Sequence, residues 1–280
     1  MDRRPLHRRV GVGAHDVIRR GTLSRGRWNR VRGWARACTD LAFPPQCAFC
    51  AGELEPSIEG AMICVSCRSR LAPLMGRACV RCGAPLEADV LASPESTARD
   101  GGRCRLCHDT PIDFQSIVAL GVYRDDLRQA LLRTKHVDGE RLAFALGELL
   151  VERVNEPLDS ADVIVPVPMN WRRRLVRQIN APELMAAAFG RRLGIRLAGG
   201  VLFWRRNVAV QGSLPPRARR RNVSGALGVR AGCDLSGAHI LLVDDILTSA
   251  ATANAATRAL RQAGATRVSV AVVARGVGAA

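Results

Sequence analysis

The chain has 280 residues, room for one or two domains, and is 48% hydrophobic but only 4% aromatic, so its core must lean on alanine, valine and leucine. Forty-two basic residues against 25 acidic ones give a net charge of +17, and every basic residue except Lys135 is arginine. That balance favours polyanionic partners such as nucleic acid, phosphometabolites or acidic membrane, while no apolar run reaches the length of a membrane span.

Charge is concentrated at the start, where residues 1–36 hold eleven arginines and two aspartates. Residues 1–25 are expected to form a disordered, arginine-rich tail on charge alone. A transit-like segment, a nucleic-acid-binding arm and translation from a later start fit the same composition. The tail lacks the apolar stretch of a secretory signal, so the protein is expected in the cytoplasm. Trp28, Val31, Ala35, Cys38 and Ala42 share one helical face and predict an amphipathic lead-in helix over 26–45.

Residues 46–110 carry a cysteine module. Cys47/Cys50, Cys64/Cys67, Cys79/Cys82 and Cys104/Cys107 form four C-x-x-C pairs separated by 13, 11 and 21 residues. Each pair puts two thiolates on one tight knuckle, and two knuckles complete a tetrahedral zinc site. Intervals of 13 and 21 fall just outside the usual zinc-ribbon range, while the fourfold repetition keeps the pattern. Large apolar side chains are few here, so the segment would not bury a core unaided. Structural zinc, with apparent binding of roughly 10–16 kcal/mol, makes up that deficit. The expectation is a double zinc ribbon with two sites built from successive pairs. Disulfides and haem are the competing uses, and both require export. Cys104-Arg-Leu-Cys-His108 is a C-x-x-C-H string, but its three sister pairs lack the histidine. Cys38 and Cys233 stand outside the pairs and read as packing residues.

Residues 112–280 alternate between strand and helix patterns. Strands are predicted at 116–122, 162–167, 201–203, 226–229, 240–243 and 268–273, and helices at 125–135, 140–154, 182–193 and 252–263. This order predicts an α/β fold with a parallel sheet flanked by helices. Residues 205–222 carry many arginines, two prolines and one glycine without apolar periodicity, and read as a long functional loop.

One stretch points to chemistry: His239-Ile-Leu-Leu-Val-Asp-Asp-Ile-Leu-Thr-Ser-Ala-Ala-Thr252. Ile240 to Val243 reads as a central parallel strand, with Asp244 and Asp245 at its carboxyl end, where open α/β sheets place ligands. Thr248, Ser249 and Thr252 then offer hydroxyls and backbone N–H groups at a helix start, which attracts phosphate. An acid pair beside a phosphate nest suits a ribose phosphate, with carboxylates on the 2′ and 3′ hydroxyls and the nest on the 5′-phosphate. Strand residues alternate faces, so both aspartates reach one ribose only if the chain turns there. A receiver domain is excluded because only 35 residues follow Asp245. A Walker-B strand is excluded because Lys135 lies outside any glycine-rich loop. A buried strand meeting a polar turn is the bland alternative.

The combination resembles the ComF family. Asp40-Leu-Ala-Phe-Pro-Pro-Gln-Cys-Ala-Phe-Cys50, the paired cysteines to Cys107 and Asp162-Val-Ile-Val-Pro-Val-Pro168 match it in order and spacing. Gln211, Leu214, Arg221-Asn222-Val223 and the run from Ala263 to Arg275 continue the match, which spans about residues 40–275. The resemblance implies a double zinc ribbon on a type I phosphoribosyltransferase-like domain. It also implies a role in uptake of single-stranded DNA during natural competence, with competence-machinery proteins as partners. It places phosphoribosyl pyrophosphate (PRPP) or a related phosphosugar against Val167, Pro168, Asp244, Asp245, Thr248, Ser249, Ala250, Ala251 and Thr252. Asp244 and Asp245 would be the catalytic pair, with magnesium entering alongside PRPP and stabilising pyrophosphate. Arg177, Arg219 and Arg221 would touch pyrophosphate or DNA, a solvated loop being the alternative for the last two. Residues 205–222 would act as a hood that keeps water from the sugar as the C1′–O bond breaks.

Two departures bear on catalysis. Ala250 stands where such loops usually have glycine, and a positive φ there would cost roughly 1–2 kcal/mol. Arg177-Gln-Ile-Asn-Ala181 keeps Arg177 and Asn180 of an Arg-Gly-Phe-Asn-Gln-like run and loses the rest.

Overall fold

The computed structural model describes residues 44–55, 60–73, 77–86, 104–108, 110–154, 158, 160–170, 174, 179–208 and 216–277. The arginine-rich tail, the lead-in helix up to residue 43, Arg177, Gln211 and Leu214 lie outside the described residues. Two compact units divide the chain at Cys64/Val65.

In the first unit, a knuckle over Cys47–Cys50 is held by Cys47 N–H to the Gly52 carbonyl at 2.7 Å and Ala51 N–H to the Cys47 carbonyl at 2.9 Å. An isolated antiparallel bridge pairs Gln46 with Glu53. Among its described residues, Cys47, Phe49, Leu54 and Ile63 are buried. Four buried side chains among the described residues make a thin core.

The second unit opens with helix α1 (Val65–Leu71), which the sequence pattern does not reveal and which buries Cys67 and Leu71. A second knuckle over Cys79–Cys82 repeats the bonds of the first and its antiparallel bridge, here between Ala78 and Pro85. There follow β1 (Ser116–Val122), α2 (Asp125–Arg133), α3 (Glu140–Val151), β2 (Val163–Pro166), α4 (Ala181–Leu193), β3 (Arg196–Leu197), β4 (Leu202–Trp204), α5 (Pro216–Val223), β5 (Leu227–Val229), β6 (His239–Leu247), α6 (Ala251–Gln262) and β7 (Arg267–Arg275).

Five strands form one parallel sheet in the order β1-β7-β6-β2-β3. Ile240 to Val243 and Val268 to Ala274, Ser269 included, have no exposed surface, as expected for central strands covered on both faces. Each such Ile, Leu or Val contributes roughly 1.5–3 kcal/mol by leaving water. Helices α3 and α4 pack closely against each other, and Gly147 makes this possible: a Cβ there would sit 2.8 Å from the Met185 backbone. On the other face, Ile240, Leu242, Val268 and Val270 pack against the alanine-rich stripe of α6.

One reading is corrected. Residues 205–222 are not a continuous loop, because α5 occupies Pro216–Val223 and β4 and β5 pair antiparallel on either side of it. Arginine is a good helix former and proline suits a first turn. The apolar periodicity is missing because Val223 is the one residue of this helix, among its described side chains, in the buried core. The described part of this region is therefore a two-stranded antiparallel ribbon with a basic helix between its strands in the chain.

Candidate functional site

The site forms where β2 ends before β6 does. Pairing between them stops at Pro166–Val243, with a last bond from Val167 N–H to the Val243 carbonyl at 2.9 Å. Beyond that point β6 keeps β7 on one side, through Asp244–Val272 to Leu247–Arg275. The chain after β2 leaves at Val167-Pro168, and the gap opens at the strand carboxyl ends.

Asp244 and Asp245 lie on this overhang. Asp244 is 8% exposed, and its Oδ1 accepts the Asp245 N–H at 2.9 Å. Asp245 is half-buried. The strand runs on through both to Leu247, so no turn separates them and their side chains leave on opposite faces. The turn needed to bring both carboxylates to one ribose is thus not at this step. Asp244 shares the α6 face with Ile240 and Leu242.

The loop after β6 is a tight turn into α6. Thr248 is exposed, Ser249 half-buried and Ala250 buried. Ala250 adopts φ 58° and ψ 7°, the left-handed conformation that favours glycine, and its carbonyl accepts the Asn254 N–H at 2.8 Å. No side chain caps this helix, so the first N–H groups of α6 face the loop with the positive end of the helix dipole. Ser249 Oγ is enclosed and has no hydrogen-bond partner among the described residues. A buried hydroxyl left unmatched costs roughly 1–3 kcal/mol, which an acceptor oxygen at the loop would recover.

Two elements outside the motif hold the loops around the site. Arg275, 6% exposed at the end of β7, donates from one nitrogen to the carbonyls of Leu247 at 3.0 Å, Thr248 at 2.7 Å and Gly276. Its buried positive charge favours an anion on the loop above it. Sequence reasoning missed it as a site residue; the signal was an arginine closing the apolar run Val270 to Ala274. Trp204 of β4 donates its indole N–H to the Pro168 carbonyl at 2.8 Å and so ties the ribbon to the loop after β2.

The arginines separate. Arg219 donates to Thr248 Oγ1 at 3.1 Å. Arg221, two residues on, is about 200° round the helix and lines a different surface with Arg220, against α6. Arg177 lies outside the described residues.

The cysteine sulfurs fall into two sets, Cys47/Cys50/Cys64/Cys67 and Cys79/Cys82/Cys104/Cys107, each with all sulfurs within 4.8 Å of one another. The division between the units falls inside the Cys64–Cys67 knuckle, so Cys67 follows from chain continuity. Individual separations are 3.8 Å for Cys50–Cys64, 3.9 Å for Cys79–Cys107, 3.5 Å for Cys82–Cys104 and 3.8 Å for Cys104–Cys107. A tetrahedron with zinc–sulfur bonds of about 2.3 Å has edges of about 3.8 Å, whereas a disulfide needs about 2.05 Å. The donor set therefore fits zinc. The equivalent first cysteines behave alike. Burial raises the Cys47 thiol, but backbone N–H groups of Cys50, Cys64 and Phe49 outweigh it and bring the pKa to about 6. The Cys82 thiol, with knuckle N–H groups, brings Cys79 to about 4. Thiolates favoured in this way are the form that binds metal.

A parallel sheet with a tight turn into a helix at the end of β6, in a chain that also carries two four-thiol centres, defines an α/β protein with a zinc ribbon. The chain belongs to the phosphoribosyl transferase domain family, whose model matches residues 137–278, and joins it to a double zinc ribbon domain matched over residues 38–110, the ComF arrangement. It is similar to the DNA utilization protein YhgH of Escherichia coli O6:H1, 28% identical over 235 residues, covering 82% of this chain and 96% of that one. The protein of that name from Salmonella typhimurium is 27% identical over 216 residues, 74% and 94% of the two chains. Competence protein F of Haemophilus influenzae is 23% identical over 236 residues, 82% and 96%.

Proposed function

We propose that this protein binds PRPP or a related phosphosugar at the carboxyl end of β6 and serves DNA uptake in the cytoplasm, with single-stranded DNA and competence proteins as partners. The carrying observation is the left-handed turn at Ala250. A strained alanine persists only where the surroundings demand that backbone, and strain of this kind clusters at ligand sites. Residues 248–252 would cradle the 5′-phosphate with the Ser249 hydroxyl and the N–H groups of α6. Asp244, on the α6 face of the strand, would serve the ribose hydroxyls, Asp245 would act from the opposite face of β6, and Val167 and Pro168 would serve the pyrophosphate. Arg219, already on Thr248, would close the phosphate side. The eight paired cysteines would hold two structural zinc ions. Related proteins named for DNA utilisation and competence support the biological role.

Transfer of the phosphoribosyl group to an acceptor is the second reading, favoured by the Trp204 tether that draws the ribbon over the loop after β2. In that reaction the C1′–O bond breaks, pyrophosphate leaves and the acceptor bonds to C1′. Magnesium would supply charge neutralisation on the pyrophosphate, and the aspartates are hard oxygen donors of the kind it takes.

Calorimetric titration with PRPP and magnesium, beside single-stranded DNA, tests the proposal. Binding is expected in the wild-type chain and is expected to vanish in Asp244→Asn/Asp245→Asn, with little change in melting temperature. A wild-type chain that ignores millimolar PRPP sinks the phosphosugar reading. Pyrophosphate release with a panel of acceptors decides between binding and transfer.

A further inference from the structure

A cavity of about 320 Å³ lies between α5 and α6. Arg220 and Arg221 of α5 and Arg258 of α6 bring three guanidinium groups to its wall. Arg258 ion-pairs with Asp113, so three positive charges face one carboxylate and the wall keeps a double positive charge. Asn254, 3% exposed, helps build the cavity, with both ends of its amide engaged within the protein. Its Oδ1 accepts the Asp113 N–H at 2.9 Å and its Nδ2 donates to the Pro111 carbonyl at 2.7 Å, so it ties the 111–113 segment to α6. Ser224 adds a hydroxyl beside the arginines. Thr248, Ser249, Ala250 and Thr252 do not line this space; Ala251 is the one residue it shares with the loop after β6.

We propose that this cavity is a second phosphate site, separate from the loop at the end of β6. Guanidinium groups match phosphate oxygens in pairs and are only weakly hydrated, so a phosphate gains more here than at a lysine cluster. Among the described residues the wall has no aromatic ring to stack a base, and its one amide, Asn254, is buried and already bonded to the 111–113 segment. Recognition therefore stops at the phosphate and is indifferent to sequence. A free phosphate ester and the backbone of a single-stranded nucleic acid share this chemistry. The inference does not rest on PRPP binding at the other loop.

The test uses the full-length, zinc-loaded chain with three probes: inorganic phosphate, a labelled oligothymidylate and PRPP. In Arg220→Gln/Arg258→Gln, calorimetry should count one phosphate site fewer than in wild type, while PRPP affinity stays within about twofold. If the cavity takes a nucleic-acid strand, the log–log salt slope for the oligothymidylate should shrink by about 0.7 for each phosphate that the variant no longer neutralises. An unchanged slope with the phosphate site lost identifies the ligand as a free phosphate ester. Ser224→Glu, which leaves all three arginines in place and adds a repelling carboxylate, should lose the same site. The proposal is overturned if both variants bind phosphate and oligothymidylate as wild type does. Parallel loss of PRPP would also overturn it, since the cavity would then be part of the other site. A wild-type chain that fails to bind PRPP removes the phosphosugar proposal and leaves this comparison intact.

Discussion

The two knuckles that begin each cysteine set are nearly the same piece of backbone. Cys47 N–H reaches the Gly52 carbonyl at 2.7 Å and Cys79 N–H reaches the Ala84 carbonyl at 2.7 Å. Leu54 N–H to the Pro45 carbonyl and Leu86 N–H to the Arg77 carbonyl are both 2.8 Å. They differ in two respects. The left-handed position is Ala51 in the first and Gly83 in the second. The second is also backed by the sheet: Ile112 and Val277 pack against its buried cluster of Cys79, Cys82, Ala84 and Cys107, and Gly83 faces Ile117 and Ala119 of β1. The first belongs to a unit whose described core is four residues. One sulfur geometry is thus held mostly by metal in one case and by metal plus a sheet in the other.

Metal removal is the largest lever on that difference. Elemental analysis should find two zinc ions per chain, and a strong chelator should withdraw roughly 10–16 kcal/mol of binding from each site. Amide hydrogen exchange should then show residues 47–64 losing all protection and residues 77–86 losing part of it, with β6 and β7 still protected. Equal loss in both knuckles would break the contrast drawn from the sheet backing. Zinc-free protein with oxidised thiols would break the zinc assignment itself.

Exchanging the left-handed residues is a smaller, sharper probe. Gly83→Ala meets Ile117 and Ala119 at 3.5 Å, ordinary contact, so its cost should be conformational alone, roughly 1–2 kcal/mol. Ala51→Gly relieves similar strain but frees the unfolded chain by roughly 0.5–1 kcal/mol, and should come out slightly stabilising. Ala250→Gly follows the same arithmetic at the phosphate loop, where PRPP affinity should stay equal or rise. Denaturant midpoints of the three variants, taken with zinc saturated, check the series. A destabilised Ala250→Gly would mean the alanine methyl packs more than its backbone strains.

What could be read from sequence follows from how local each signal is. Four C-x-x-C pairs and the run from Ile240 to Asp245 declare their geometry within a few residues. Strand β1 lies at 116–122 as its apolar pattern indicates, while β6 runs past Val243 to Leu247 because Ile246 and Leu247 continue it. The basic helix α5 was hidden because its helical face has one buried anchor, Val223, among arginines. Two-residue β3 is too short to show a period. Arg275, 27 residues beyond Thr248, depends on the register of β7 against β6, which no local pattern encodes. The separation of Arg219 from Arg221 is invisible until those residues are known to be helical.

Acid acts on the two regions through different groups, and this gives the smallest and most selective test. In the ribbon, protons compete with zinc for thiolates. In the sheet, the relevant group is His239, 7% exposed at the start of β6. Its Nε2 is 2.8 Å from Ser269 Oγ, which in turn is 2.8 Å from Ser116 Oγ, and its Nδ1 is 3.3 Å from the Ser160 carbonyl. Burial lowers its pKa below the ordinary histidine value, and the Arg267 charge lowers it further; the Ser160 carbonyl and Asp162 offset part of this. A base with a depressed folded pKa stays neutral while the unfolded chain takes up a proton. Its contribution is therefore complete above about pH 6.5 and is lost as pH falls towards the folded value. Hydrogen exchange in β6 and β7 should weaken below about pH 6.5 in wild type. His239→Gln, which keeps an amide for Ser269, should flatten that dependence in the sheet and leave the acid sensitivity of residues 47–64 where it was. A sheet that keeps its full pH dependence in the variant would shift the effect to another group, and a ribbon whose sensitivity moves with it would mean that the two regions unfold together.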